Sequence, residues 1–134
     1  MRQEFRNDMQ SLPDIFRFLR RFAGEERLSP EVSFAIELSV EEFFTNIVKY
    51  GSHESAGISL LAVREGRVVT VCLEEKTSVP YDVTVRTDTQ FQLPAMKRKP
   101  GGLGVHIARE VLDDLQYAYV EGISRITLVK HLET

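Results

Sequence analysis

Apolar positions along this chain recur first every three to four residues and then every second residue, which divides it into helical and strand-forming parts. Leu12, Ile15, Phe16, Leu19 and Phe22 fall on one helical face, and Arg17, Arg20 and Arg21 mostly fill the other. Ser11 is placed to cap this helix, Pro13 suits its first turn, Asp14 lies near the positive end of its dipole, and Ala23-Gly24 closes it. A second start follows at Ser29-Pro30-Glu31, and its periodic run continues to about Tyr50, where Gly51 stops it.

Beyond the loop 51–57 the period changes to two. Residues 58–63 and 67–74 read as strands rich in branched side chains, joined by Glu65-Gly66 as an antiparallel hairpin. Residues 77–100 show no helical period and contain Pro80, Pro94, Pro100 and the triplet Lys97-Arg98-Lys99, so strand fragments and a long loop are expected there. Gly101-Gly-Leu-Gly104 leads into Val105, Ile107, Ala108, Val111 and Leu112, a helix of about two to three turns. Residues 117–120 and 125–132 close the chain as two strands around Glu121-Gly122. The order helix, helix, hairpin, irregular segment, helix, hairpin predicts an α+β two-layer sandwich. About three helices lie on one face of a mainly antiparallel or mixed sheet. No repeat, low-complexity tract or linker divides residues 1–134, so a single domain is expected.

Composition narrows the partners. A net charge of −3 leaves no electrostatic footprint for nucleic acid or an anionic membrane, which points to proteins or small ligands. Cys72 is the one cysteine and lies in an apolar run, so it reads as a buried structural thiol in a reducing compartment. With no apolar signal region at the N-terminus and no run near the ~20 apolar residues of a membrane span, a cytoplasmic protein is expected. His53, His106 and His131 are dispersed and show no metal-ligand spacing with Cys72.

Two places carry candidate chemistry. Glu42 and Asn46 stand one helical turn apart in an otherwise apolar run with Phe43, Phe44, Ile47 and Val48, at the edge of the expected core. Unpaired polar groups are costly there, so both need partners, and hydrated Mg2+ with nucleotide phosphates is one candidate. The plain alternative is a surface carboxylate beside a satisfied core amide. The second place is the glycine cluster 101–104, where backbone can approach a ligand closely and the following helix start offers N–H groups to phosphate. It lacks the Lys-Ser/Thr of a Walker loop and the full dinucleotide fingerprint. Lys97 and Arg98 just before it would suit a triphosphate, or else form a solvated loop.

Together the two motifs carry a resemblance. Glu42-Phe-Phe-Thr-Asn46-Ile-Val-Lys-Tyr-Gly51 resembles the N-box of the GHKL ATPase and histidine-kinase superfamily, and Gly101-Gly-Leu-Gly-Val-His-Ile-Ala-Arg-Glu-Val-Leu-Asp-Asp-Leu115 resembles its second glycine box. The short length and the ending Ser124-Arg-Ile-Thr-Leu-Val-Lys-His-Leu132 are similar to the anti-sigma-factor serine kinases of bacterial sporulation and general stress. The resemblance implies ATP and Mg2+ as cofactors, Glu42 as general base, and Asn46 as the Mg2+ ligand. It also implies that Gly102, Leu103 and Gly104 hold phosphate, with 85–100 as a lid. A sigma factor, an anti-anti-sigma antagonist as substrate, and a homodimer are implied as well. Helix one, with Phe16, Phe18 and Phe22, is the place to look for an exposed apolar patch.

The chain departs from the family at the first glycine box, normally Asp-x-Gly before a Pro-Phe-Asp-like segment. Counting back from Pro80-Tyr81-Asp82 places Lys76 and Ser78 at the aspartate and glycine positions, whereas strand alternation through Val69, Val71 and Leu73 places Glu75 and Thr77 there. In the family that aspartate accepts the adenine amino group, which a glutamate can still do and a lysine cannot. Tyr50 also stands where a histidine often precedes the glycine ending the N-box. Two functions follow from the resemblance: a serine kinase, or a module of the same fold that has lost adenine affinity and acts by sequestering its partner.

Overall fold

The computed structural model describes residues 1–51, 57–84 and 102–133. Strand β1 (Arg2–Arg6) is followed by a short 3-10 turn, helix α1 (Leu12–Glu25) and helix α2 (Pro30–Tyr50). The hairpin β2 (Gly57–Glu65) and β3 (Val68–Lys76) comes next, then α3 (Gly102–Val111) and the hairpin β4 (Asp114–Val120) and β5 (Ile123–His131). The five strands form one antiparallel sheet in the order β1-β2-β3-β5-β4. This is the expected α+β architecture, with β1 as an addition.

Alternation decides which face of the sheet is covered. Ile58, Leu60 and Ala62 of β2, Val69, Val71 and Leu73 of β3, and Ile126 and Leu128 of β5 are buried beneath the helices. From above, Ile15, Phe18, Leu19 and Phe22 of α1 and Val40, Phe43, Phe44 and Ile47 of α2 close the core. Each fully buried Phe or Leu of this set contributes about 1.5–3 kcal/mol relative to exposure. Cys72 alternates to the other face, half-buried beside Thr127, so it is not the buried thiol expected.

Local chemistry sets the element ends. Ser29 accepts from the N–H of Val32 at 3.2 Å with Pro30 at the first helical position of α2, and Gly51 donates its N–H to Ile47 at 2.9 Å. Ser11 does not cap α1: its hydroxyl donates to the Arg6 carbonyl, tying the helix start back to β1. The left-handed residue after α1 is Arg27, at φ 55°, not Gly24, which stays helical. The β2–β3 turn is Gly66-Arg67, one residue later than expected, with Gly66 at φ 61°, whereas β4–β5 turns at Glu121-Gly122 as expected. Phe18 and Phe22 are 2% and 3% exposed, and Arg20 lies over the ring of Phe16, so α1 does not present these three rings as an exposed patch.

Candidate functional site

Val40, Phe43, Phe44 and Ile47 bury one side of α2 and thereby fix its rotation about its axis. Glu42 and Asn46 are then held side by side at the edge of the core, as i and i+4 neighbours. Asn46 is 6% exposed, and its amide nitrogen donates to Glu42 Oε1 at 2.9 Å. That bond leaves the Asn46 carbonyl oxygen for a different partner. Burial pushes the Glu42 carboxyl above its ordinary range; the Asn46 hydrogen bond opposes this, the nearby Glu41 adds to it, and Lys49 opposes it.

Helix α3 completes this end of the site. Val105 and Ala108 are buried and seat the helix against the core. Gly104, in its first turn, lies so close to Glu42 that a methyl group there would overlap the carboxylate. A side chain at this position would have to displace the Glu42 carboxylate, and the positive dipole end of a ten-residue helix is thereby set beside Glu42. Gly102 and Leu103 open this helix. Lys97 and Arg98 lie outside the described residues.

The other end is built from β3 and the segment after it. Glu75 continues the buried row of Val69, Val71 and Leu73 at 7% exposure, Thr77 comes next at 4%, and Lys76 points outward. Glu75 and Thr77 thus occupy the inward positions that strand alternation predicts, and Lys76 and Ser78 do not. Thr77 is pinned from the far hairpin, donating its N–H to Gly122 at 2.9 Å and accepting the Tyr119 hydroxyl on its carbonyl at 2.8 Å. Its own hydroxyl bonds the backbone of Val79 in a local turn. Further on, Asp82 Oδ1 accepts from both the N–H and the hydroxyl of Thr84, and Arg109 of α3 donates to the Thr84 carbonyl at 2.8 Å. Sequence reasoning did not single out Tyr119, Thr84 or Arg109. The Asp82-Val-Thr84 spacing of an Asx turn was the one signal available for this part.

Oxygen donors at Glu42 and Asn46 match the preference of Mg2+. Among the described residues no cluster of three or more His, Cys, Asp or Glu gathers for a metal. A hydrated ion held by few protein ligands and by nucleotide phosphates fits this donor set, and a dedicated protein cage does not. A cavity of about 370 Å³ lies elsewhere, lined by Arg27, Ser29, Arg64, Lys130 and His131 at the N-terminal end of α2. Its cations Arg64 and Lys130 donate to the carbonyls of Glu26 and Val111, and none of the described candidate site residues lines it.

The sequence profile of the histidine kinase-like ATPase domain matches residues 5–130, which includes both ends of the site. The chain belongs to this family. No curated protein matches the sequence. The fold is similar to the structure of the RsbU and RsbW domains of Rv1364c from Mycobacterium tuberculosis, with a TM-score of 0.71 at 14% identity over 98% of this chain. This chain spans 31% of that longer one. It is also similar to the Acinetobacter baumannii histidine kinase AdeS, with a TM-score of 0.53 at 16% identity over all of this chain and 68% of that one. At such identities the likeness concerns the fold alone. None of the described helices is long and apolar enough to cross a membrane.

Proposed function

We propose that this ATPase-family domain is an ATP- and Mg2+-dependent protein serine kinase of the anti-sigma type, acting in the cytoplasm as a homodimer. It would phosphorylate an anti-anti-sigma antagonist and sequester a sigma factor. The observation that carries the reading is the contact between two distant segments: Glu42, hydrogen-bonded to Asn46 on α2, packs against Gly104 at the start of α3. A carboxylate with a raised proton affinity then lies beside a helix N-terminus suited to phosphate.

In this reading Glu42 takes the proton from a substrate serine hydroxyl as the serine oxygen bonds the γ-phosphorus and the bond to the leaving ADP breaks. Asn46 orients Glu42 through its amide nitrogen and offers its carbonyl oxygen to Mg2+. Bound Mg2+ supplies neutralisation of the phosphate charge. The backbone at Gly102, Leu103 and Gly104 receives the phosphates, Lys97 and Arg98 add cations to them, and Glu75 accepts the amino group of the base.

A second reading has its own support. Glu75 and Thr77, both buried, replace the smaller Asp-x-Gly pair of the family, and Thr77 is immobilised by Tyr119 and Gly122. A base end filled in this way favours a module that works by sequestration alone. Calorimetric titration with ATP and Mg2+, beside Asn46→Ala, separates the two. Wild-type binding that loses its Mg2+ dependence in the variant supports the kinase and calls for a phosphorylation assay with the antagonist. Absence of heat and of thermal shift at millimolar nucleotide supports sequestration.

A further inference from the structure

Arg109 sits in the last turn of α3, where a cation is ordinarily explained by the helix dipole and by solvent. Its geometry exceeds that explanation. The guanidinium reaches across 25 residues of sequence to donate to the Thr84 carbonyl at 2.8 Å. Thr84 is itself 4% exposed and makes two hydrogen bonds to Asp82 Oδ1, so the acceptor that Arg109 engages belongs to a buried, hydrogen-bonded turn. Val83 beside it is buried in the core cluster.

The same segment is anchored at its other end by Tyr119 and Gly122 at Thr77. Residues 77–84 are therefore tied at both ends, to the β4–β5 hairpin and to α3. Since α3 also carries Gly104 against Glu42, a single helix touches both the catalytic end of the site and the segment that follows Glu75.

We propose that Arg109 is a positioning residue for nucleotide binding: through Thr84 it holds the segment after β3 at a set distance from the α3 N-terminus. The base end and the phosphate end of the site thereby suit one nucleotide. This rests on the kinase reading, in that it requires a nucleotide to span Glu75 and Gly104. Arg109 touches no substrate in this scheme, so its effect falls on affinity and leaves the phosphoryl-transfer step alone. Lysine keeps the positive charge and offers rotatable donors toward the same carbonyl.

The test compares wild type, Arg109→Ala and Arg109→Lys in full-length protein. MgATP affinity and melting temperature are read by calorimetry and thermal shift, and backbone amide exchange over residues 77–84 by mass spectrometry without nucleotide. The expected result is a Kd weakened about tenfold in Arg109→Ala, the size set by loss of one charge-assisted hydrogen bond, with lysine restoring most of it. Exchange over 77–84 accelerates in the alanine variant and not in the lysine variant, and kcat at saturating nucleotide is unchanged. Wild-type affinity in Arg109→Ala overturns the proposal, as does an affinity loss that lysine does not restore. A wild type that binds no MgATP overturns the kinase reading together with this proposal. The amide exchange then still tells whether the tie exists.

Discussion

The two ends of the site are built by different means. The Glu42 and Asn46 end is one turn of one helix: both side chains leave the same face four residues apart and bond each other, and a single glycine from α3 comes up against them. The Glu75 to Thr84 end is held together by groups from three separate elements, the β3 alternation, the β4–β5 hairpin and α3. The first therefore depends on helical spacing, which needs little beyond a folded α2, and the second on the whole sheet being in register. Substitutions at the first should change chemistry with modest effects on stability. At the second they should change affinity and local order together.

The sharpest way to separate the ends is Glu42→Gln. Phosphoryl transfer should fall by about 10²- to 10⁴-fold, the usual worth of a positioned general base, while nucleotide affinity stays near that of the wild type. Its pH behaviour adds a sign. Burial raises the carboxyl above 4.5, so the folded chain holds its proton more tightly than the unfolded one. The associated stability is present below 4.5 and is lost as pH rises through the raised value. Glu42→Gln should therefore gain on the wild type in denaturation experiments as pH rises through that raised value, and the difference should vanish in acid. Activity, which needs the ionised base, should climb over the same interval in the wild type alone. A variant with undiminished turnover would remove Glu42 from the chemistry.

Gly104→Ala tests whether the close approach of the two helices matters. The added methyl competes with the Glu42 carboxylate, a movable group, so the fold should survive while Glu42 is displaced from Asn46. A misplacement of that order costs about a hundredfold in rate, measured as kcat with the melting temperature as control. Full activity would show that Glu42 can work from another position. At the base end, Glu75→Gln should weaken MgATP about tenfold by removing a charged acceptor, with kcat preserved, as isothermal titration and initial rates would show. If affinity is indifferent to Glu75, the base is recognised elsewhere or not at all, and the sequestration reading gains.

Tyr119→Phe has the smallest expected effect. It deletes one hydrogen bond to the Thr77 carbonyl without changing shape, for about 1 kcal/mol of stability in urea unfolding. A loss several times larger would mean that the far hairpin supports more of the segment than Thr77 alone.

Where the sequence could be read, the reason was locality. Both long helices, the two hairpins and the glycine-led third helix follow from periods and end signals that act within a few residues. Strand β1 escaped because Arg-Gln-Glu-Phe-Arg holds only one apolar side chain, Phe5, whose edge-to-face contact with Phe18 at 5.8 Å is a tertiary matter. The Ser11 hydroxyl was drawn to Arg6 of that unforeseen strand for the same reason. Phe18 and Phe22 looked available for a surface patch until the sheet was placed beneath them.

The sequence by itself determined the pairing of Glu42 with Asn46, because a helix of 3.6 residues per turn brings i and i+4 together whatever surrounds it. Two things were left to the tertiary structure. One is that Gly104, 62 positions after Glu42 in the chain, closes on its carboxylate, which explains the glycine better than any turn requirement. The other is the choice between Glu75 and Lys76. Local counting allowed either, but burying a lysine ammonium beneath the helices is far costlier than turning it outward, so the sheet took the register that keeps Val69, Val71 and Leu73 in the core and carries Glu75 in with them.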